Sequence, residues 1–344
     1  MQLFEEVNMV KINKKRDFLK YVGDISQVFG AKQFIFSDGK SSGMRGIDIN
    51  TGSGLTYSVL PDRGMDIANL SYKGVNCSFL SKTGISSPKY YEKDGDNYLR
   101  TFYSGFLTTC GLRNFGPECE VDGEVHPMHG RISHTPAENL GVRRTFSSLE
   151  LGISIFGEMR ETKVFGENLL LKREIRSEHG KSEIVIKDKV ENLGFRKEPL
   201  MLLYHINIGY PLLDEGIEIF LPKSEMVPKD EISKSEIRNY LKTALPNPVA
   251  KPLIYFHKFI KSEKPLVAGV INKKLGIKLE ILFNHNQLHR MTQLKHLGES
   301  EYMLCLEPAN SLPSLKNAIE KYTVNYIEPG EIKDFEIKIK LSEL

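Results

Sequence analysis

The segment His126-Pro-Met-His-Gly-Arg-Ile-Ser-His134 places three of the chain's nine histidines and an arginine within nine positions. It can supply metal ligands, one wall of a catalytic pocket, or a polar loop, and its own residues do not choose among these. His126 and His129 form an HxxH pair of the kind that holds metals. Zinc pairs, however, sit at helical spacing or beside cysteines, and Pro127 and Pro136 oppose a helix here. Gly130, directly after His129, allows a ligand or another stretch of backbone to approach closely.

Two later segments carry apolar runs into polar side chains. In Glu198-Pro-Leu-Met-Leu-Leu-Tyr-His-Ile-Asn-Ile-Gly-Tyr-Pro211, an extended chain puts Leu200, Leu202, Tyr204, Ile206 and Ile208 on one face. The other face runs Met201, Leu203, His205, Asn207, Gly209. His205 and Asn207 then share a surface and need hydrogen-bond partners, from a ligand or from the protein itself. In Tyr302-Met-Leu-Cys-Leu-Glu-Pro-Ala-Asn310, apolar residues lead to Glu307 before a proline that is expected to end the strand. A carboxylate there is costly unless it is paired or protonated, and the same surroundings raise its pKa toward that of a general base working near neutrality. A salt bridge to an arginine is the plain alternative. Arg63, in Pro61-Asp-Arg-Gly-Met-Asp66, and Arg113, in Cys110-Gly-Leu-Arg-Asn-Phe-Gly116, occupy short glycine-containing turns. Each can fork hydrogen bonds onto sugar hydroxyls, a carboxylate or a phosphate, or else pair with Asp66 or Glu307 as scaffold. No Walker-type, GxGxxG or GxSxG pattern occurs, so nucleotide binding and serine hydrolysis have no support.

The elements that must position these residues are read from alternation. Leu55, Tyr57 and Val59 alternate with Thr56 and Ser58. Leu275, Ile277, Leu279, Ile281 and Phe283 do the same, and so do Phe335, Ile337, Ile339 and Leu341. This period of two is that of half-buried strands. Turn signals separate them at Ser37-Asp-Gly39, Tyr72-Lys-Gly74, Glu191-Asn-Leu-Gly194 and Glu328-Pro-Gly330. Helical patterns are few: Lys15–Phe29, Lys234–Ala244 and Ser314–Tyr322. The expectation is an all-β, mainly antiparallel fold with sheets packed face to face and a few short helices. Residues 1–30 are expected to form a partly helical N-terminal appendage, and residues 31–344 a single domain.

The charge balance, 47 basic against 44 acidic residues, gives a net +3 and no electrostatic case for a nucleic-acid or membrane partner. Apolar runs are far shorter than the ~20 residues of a membrane span. The N-terminus lacks the apolar core of a secretory signal. Cys77, Cys110, Cys119 and Cys305 show no CxxC spacing, so a zinc knuckle or disulfide framework is not signalled, and a cytoplasmic setting is expected.

His129-Gly130, then Tyr204-His-Ile-Asn207, then Cys305-Leu-Glu-Pro308, in that order on a strand-rich chain, resemble the galactose mutarotase-like (aldose 1-epimerase) superfamily. The closer likeness is to its divergent aldose-1-epimerase-like branch, through PDRGMDI, LTTCGLRNFGP, HGRI, YHINIGYPLLDEG and LEPAN, and it covers roughly residues 24–340. The resemblance implies a β-supersandwich binding a small carbohydrate. It implies His205 as general acid and Glu307 as general base, with His129 hydrogen-bonding the ring oxygen or a neighbouring hydroxyl. Arg131, Arg113 and the Gln293–Lys295 pair match substrate-binding positions more loosely. Asn207 and Arg63 complete the expected contacts.

Anomer exchange removes a proton from the anomeric hydroxyl while another reaches the ring oxygen. The ring opens, the C1–C2 bond rotates, and closure reverses both transfers. One carboxylate and one imidazole suffice, each contributing roughly 10²–10⁴-fold, and no metal or redox cofactor is required. The same pair can enolise an opened sugar, so an isomerase or carbon-centre epimerase is an alternative. A metal-dependent isomerase using His126, His129 and His205 is another. A third is a non-catalytic carbohydrate-binding sandwich, which the absence of tryptophan disfavours. The enzymatic reading expects His205 and Glu307 to face each other across a space sized for one pyranose.

Overall fold

The structure, a computed structural model, describes residues 18–146 and 151–344. Two antiparallel sheets dominate. One has eleven strands, running in spatial order Gly30–Ile35, Arg45–Asn50, Leu55–Leu60, Asp66–Tyr72, Leu107–Cys110, Leu203–Gly209, Glu301–Ala309, Arg290–Gly298, Leu253–Phe259 and Ser224–Pro228, with Val75–Asn76 added beside Asp66–Tyr72. The other has eight, from Glu138–Phe146 through Leu151–Thr162, Asn168–Glu178, Glu183–Asn192, Ile332–Glu343, Ile277–Phe283 and Leu266–Asn272 to Glu218–Phe220.

Alternation explains why the sheets stack. Ile184 and Ile186 meet Ile339 and Ile337 across one ladder, and Leu279 and Ile281 meet Leu341 and Ile339 across the next. All of these are buried in one cluster that also takes Ile67, Tyr204, Ile206, Leu304 and Leu306 from the larger sheet. Replacing one such isoleucine by alanine costs roughly 2–5 kcal/mol. The turn signals act as expected: Lys73 and Gly74 both have positive φ, 51° and 83°, and close a two-residue hairpin between Tyr72 and Val75.

Among the described residues the helices are few and short, as expected. Lys15–Phe29 lies partly outside the described residues, and from residue 18 it holds one 3₁₀ turn at Ile25–Gln27. Phe18, Val22, Ile25 and Phe29 bury themselves in the main core. Lys234–Ala244 resolves into a short helix, Glu231–Ser235, and a 3₁₀ turn, Ile237–Asn239. Ser314–Tyr322 becomes the helix Leu315–Glu320. The strand expected to stop at Pro308 continues to Ala309, and it pairs on both sides there.

One polar network crosses the core behind the central strand. Arg173, from the smaller sheet, donates to both oxygens of Asp188 at 2.8 and 2.6 Å and to Thr109 at 2.7 Å. The Tyr204 hydroxyl donates to the same Asp188 at 2.7 Å. Tyr204 precedes His205, so this network fixes the strand that carries the histidine.

Candidate active site

The ladder between Leu203–Gly209 and Glu301–Ala309 sets the site. Leu203 pairs with Ala309 and Ile206 with Leu306, which puts His205 opposite Glu307. The row continues to Thr108 on one side and Thr292 on the other. Because side chains alternate, Tyr204, Ile206, Leu304 and Leu306 enter the core while His205, Asn207, Cys305 and Glu307 share the opposite face. His205 Nε2 lies 3.4 Å from Glu307 Oε1, with both residues buried. The expected pyranose-sized gap is therefore absent: neighbouring strands bring the two groups side by side.

Burial dominates the electrostatics of this pair. Desolvation pushes Glu307 up to about 8, and no hydrogen bond to its carboxylate is made among the described residues. Desolvation likewise holds His205 down to about 4. Near neutrality the pair thus holds one proton, which avoids net charge in a low-dielectric place. His205 Nδ1 is buried without a hydrogen-bond partner.

Aromatic rings roof the pair. Phe102 meets His205 edge-on at 5.2 Å and stacks parallel to His129 at 6.1 Å, and His129 meets His205 at 5.4 Å. Tyr98 packs on both Phe102 and His129. His129 and Phe102 remain partly exposed at this corner. His129 Nδ1 accepts from the Gly116 N–H at 3.4 Å, leaving Nε2 to carry the ring proton and to act as donor. Surrounding protein, then the His205 ring, push His129 down to about 3, so it acts as a neutral hydrogen-bonding group. Gly130 is needed for backbone, not ligand: at φ 74°, a Cβ there would come 2.1 Å from the Gly111 oxygen.

The other predicted contacts divide. Arg131 is partly exposed next to His129 and makes no side-chain hydrogen bond or ion pair among the described residues. Asn207 sits beside the pair, but its amide donates to the His205 and Ser104 carbonyls at 2.9 and 3.3 Å and its oxygen accepts from Cys305 Sγ at 3.2 Å. Asn207 therefore positions its neighbours. Arg63 is fully buried, donating to the carbonyls of Ser133 and Ser86 at 2.6 Å each and contacting His134 Nε2 at 3.1 Å. Arg113 forks onto Glu124 at 2.9 and 3.0 Å and also meets Glu167 and Glu198. Both arginines are scaffold here, with partners other than the Asp66 and Glu307 expected from sequence.

Gln293 and Lys295 are on the wrong side of their strand. Thr292 is the residue opposite Glu307, so its odd-numbered neighbours point away. Gln293 donates to the Tyr240 carbonyl and contacts His257, and Lys295 donates to the carbonyls of Asn239 and Lys242. They pin the 239–242 segment. His126 is buried 4.0 Å from Glu124, and it is not gathered with His129 into a metal-binding group; among the described residues the donors that do cluster are those of His205, Cys305 and Glu307. Phe102 and Tyr98 carry no periodic signal, because Tyr98 lies in the single 3₁₀ turn Asn97–Arg100 and Phe102 in the connection after it, and the sequence alone does not mark them. A cleft of about 630 Å³ with a mixed lining lies elsewhere, over strands within 30–72, bordered among others by Lys32, Asp48, Ile49, Tyr57 and Asn69.

The model of the family described as Domain of unknown function (DUF4432) matches residues 41–341. No curated protein matches the chain. Among solved structures, a Klebsiella pneumoniae protein provisionally named an aldose 1-epimerase superimposes with a TM-score of 0.86 at 24% identity, over 94% of this chain and 85% of its own. A galactose mutarotase-like protein from Clostridium acetobutylicum gives 0.67 at 14% identity, over 92% and 100%. A galactose 1-epimerase from Lactobacillus acidophilus gives 0.60 at 12%, over 92% and 99%. At these identities the likeness is one of fold: the chain has the galactose mutarotase-like sandwich. No helix among the described residues is long and apolar enough to cross a membrane.

Proposed function

This chain belongs to the DUF4432 family, and from that premise and the cross-strand pair His205–Glu307 we propose that it interconverts the anomers of a monosaccharide or modified sugar by acid–base ring opening. The observation that carries the reading is the 3.4 Å contact between a buried imidazole and a buried carboxylate on adjacent strands. The hydroxyl to be deprotonated and the ring oxygen to be protonated are bonded to the same carbon, C1. An acid and a base serving both must therefore be close neighbours, as these are.

In this mechanism Glu307, as carboxylate, takes the O1 proton, and His205, as imidazolium, delivers its proton to the ring oxygen. Opening leaves Glu307 protonated and His205 neutral, the distribution that burial favours in the free protein. Proton exchange across the pair restores the starting form without changing its net charge. His129 Nε2–H and Arg131 position the sugar, and Phe102 offers an apolar face for its carbon skeleton. The four cysteines are free, which suits a reducing, cytoplasmic compartment.

The test is exchange spectroscopy or polarimetry on α and β anomers of a sugar panel. Glu307→Gln and His205→Ala are each expected to lower turnover by roughly 10²–10⁴-fold. Wild-type turnover in either variant refutes the assignment. Solvent deuterium appearing on carbon would move the reaction to enolisation.

A further inference from the structure

Cys305 is not an ordinary core cysteine. It stands two residues before Glu307 on the same strand and opposite Asn207 on the next, so its sulfur joins the face that carries His205 and Glu307. A histidine nitrogen, the cysteine sulfur and a carboxylate oxygen from these three residues all lie within 4.8 Å of one another. All three residues are buried, and Glu307, only 3% exposed, accepts no hydrogen bond among the described residues. A buried carboxylate without a donor, beside a nitrogen and a sulfur, is a ligand set suited to a cation.

We propose that His205, Cys305 and Glu307 form a binding site for a borderline-soft divalent cation of the zinc type, and that the bound cation competes with the sugar. Zinc takes sulfur at about 2.3 Å and nitrogen or oxygen at about 2.0–2.2 Å, which sets donor separations of roughly 3.3–3.8 Å in a tetrahedron. The 3.4 Å between His205 and Glu307 already meets this, and the sulfur lies within 4.8 Å of both donors. The thiolate–imidazole–carboxylate set selects zinc or cobalt over magnesium or calcium, which prefer all-oxygen sites. Binding releases two protons to solvent, one from the Cys305 thiol and one from the His205–Glu307 pair, and leaves a fourth position for water. In the metal-free protein the Cys305 thiol donates to Asn207 Oδ1 at 3.2 Å, a hydrogen bond that metal binding replaces with the metal–sulfur bond. The competition rests on the function proposed above; the metal site does not.

The experiment is titration of the full-length, chelator-treated protein with Co²⁺, followed by absorption. One equivalent is expected to bind and to give a thiolate-to-cobalt band in the near ultraviolet. Cys305→Ser is expected to remove that band and weaken binding by roughly 100-fold, whereas Cys119→Ser leaves both unchanged. Absence of binding, binding without the band, or a band that survives in Cys305→Ser overturns the site. Should Cys305→Ser fail to fold, Glu307→Gln takes its place, and a spectrum and affinity identical to wild type overturn the proposal. Zn²⁺ inhibition of anomer exchange that excess sugar relieves supports the competition, and metal binding without inhibition overturns it. If the chain catalyses no exchange at all, the functional reading falls while the cobalt spectra still decide the metal site.

Discussion

Glu307→Gln removes a charge that burial disfavours, and its effect on stability follows from the carboxyl's position. In the unfolded chain this group titrates near 4.5, and in the folded chain near 8. Below pH 4.5 both states are protonated and the residue is neutral in each. As pH rises from 4.5 to 8 the unfolded state ionises first, so wild-type stability is lost across that window and then levels off. At about 1.4 kcal/mol per pH unit the full loss is about 5 kcal/mol, and relaxation of the surroundings lowers it to roughly 3–5 kcal/mol. Glutamine keeps the shape and has nothing to ionise. The variant is therefore expected to match wild type near pH 4.5 and to exceed it by that amount at pH 9. With an unfolding entropy of ~2.1 cal/mol/K per residue, this corresponds to a Tm gain of roughly 4–7 °C at pH 9. Thermal and urea melts of both proteins at pH 4.5, 6.5 and 9 measure it. Parallel stability curves across this range, or a variant less stable at pH 9, would refute a buried, uncompensated Glu307.

Further outcomes follow from other contacts. Activity requires the His205–Glu307 pair to hold one proton, so kcat/KM is expected to be bell-shaped, falling below about pH 4 and above about pH 8; a flat profile across pH 7–10 counts against the pair. Arg173→Met leaves Asp188 and nearby Asp66 buried without their cation and is expected to cost about 3–5 kcal/mol in urea unfolding, partly recovered by adding Asp188→Asn. Phe102→Ala is expected to raise KM by roughly five- to tenfold, about 1 kcal/mol of lost ring contact, with kcat little changed. A loss confined to kcat would mean that Phe102 orients His205 rather than contacting the sugar.

The strands, and the polar residues that the central ladder brings together, are legible without coordinates. Alternation through Ile277–Phe283 and Ile332–Glu343 reads directly as half-buried sheet, because a period of two has one structural cause. The same rule places His205 and Asn207 on one face of a buried strand, and the polar ends of apolar runs mark His205 and Glu307. Helix ends are less legible: Lys234–Ala244 reads as one run and folds as the helix Glu231–Ser235 and a 3₁₀ turn, because local spacing does not fix where the chain stops coiling. The register that makes His205 and Glu307 touch comes from the folded molecule alone, because hydrogen-bond pairing between strands nearly a hundred residues apart leaves no local pattern. The fate of the cations is settled there too. An arginine in a turn looks the same in sequence whether its donors meet a ligand or, like those of Arg63, are already filled by backbone carbonyls. Gln293 and Lys295 are off by one position along a strand, a shift that reverses the face on which a side chain emerges.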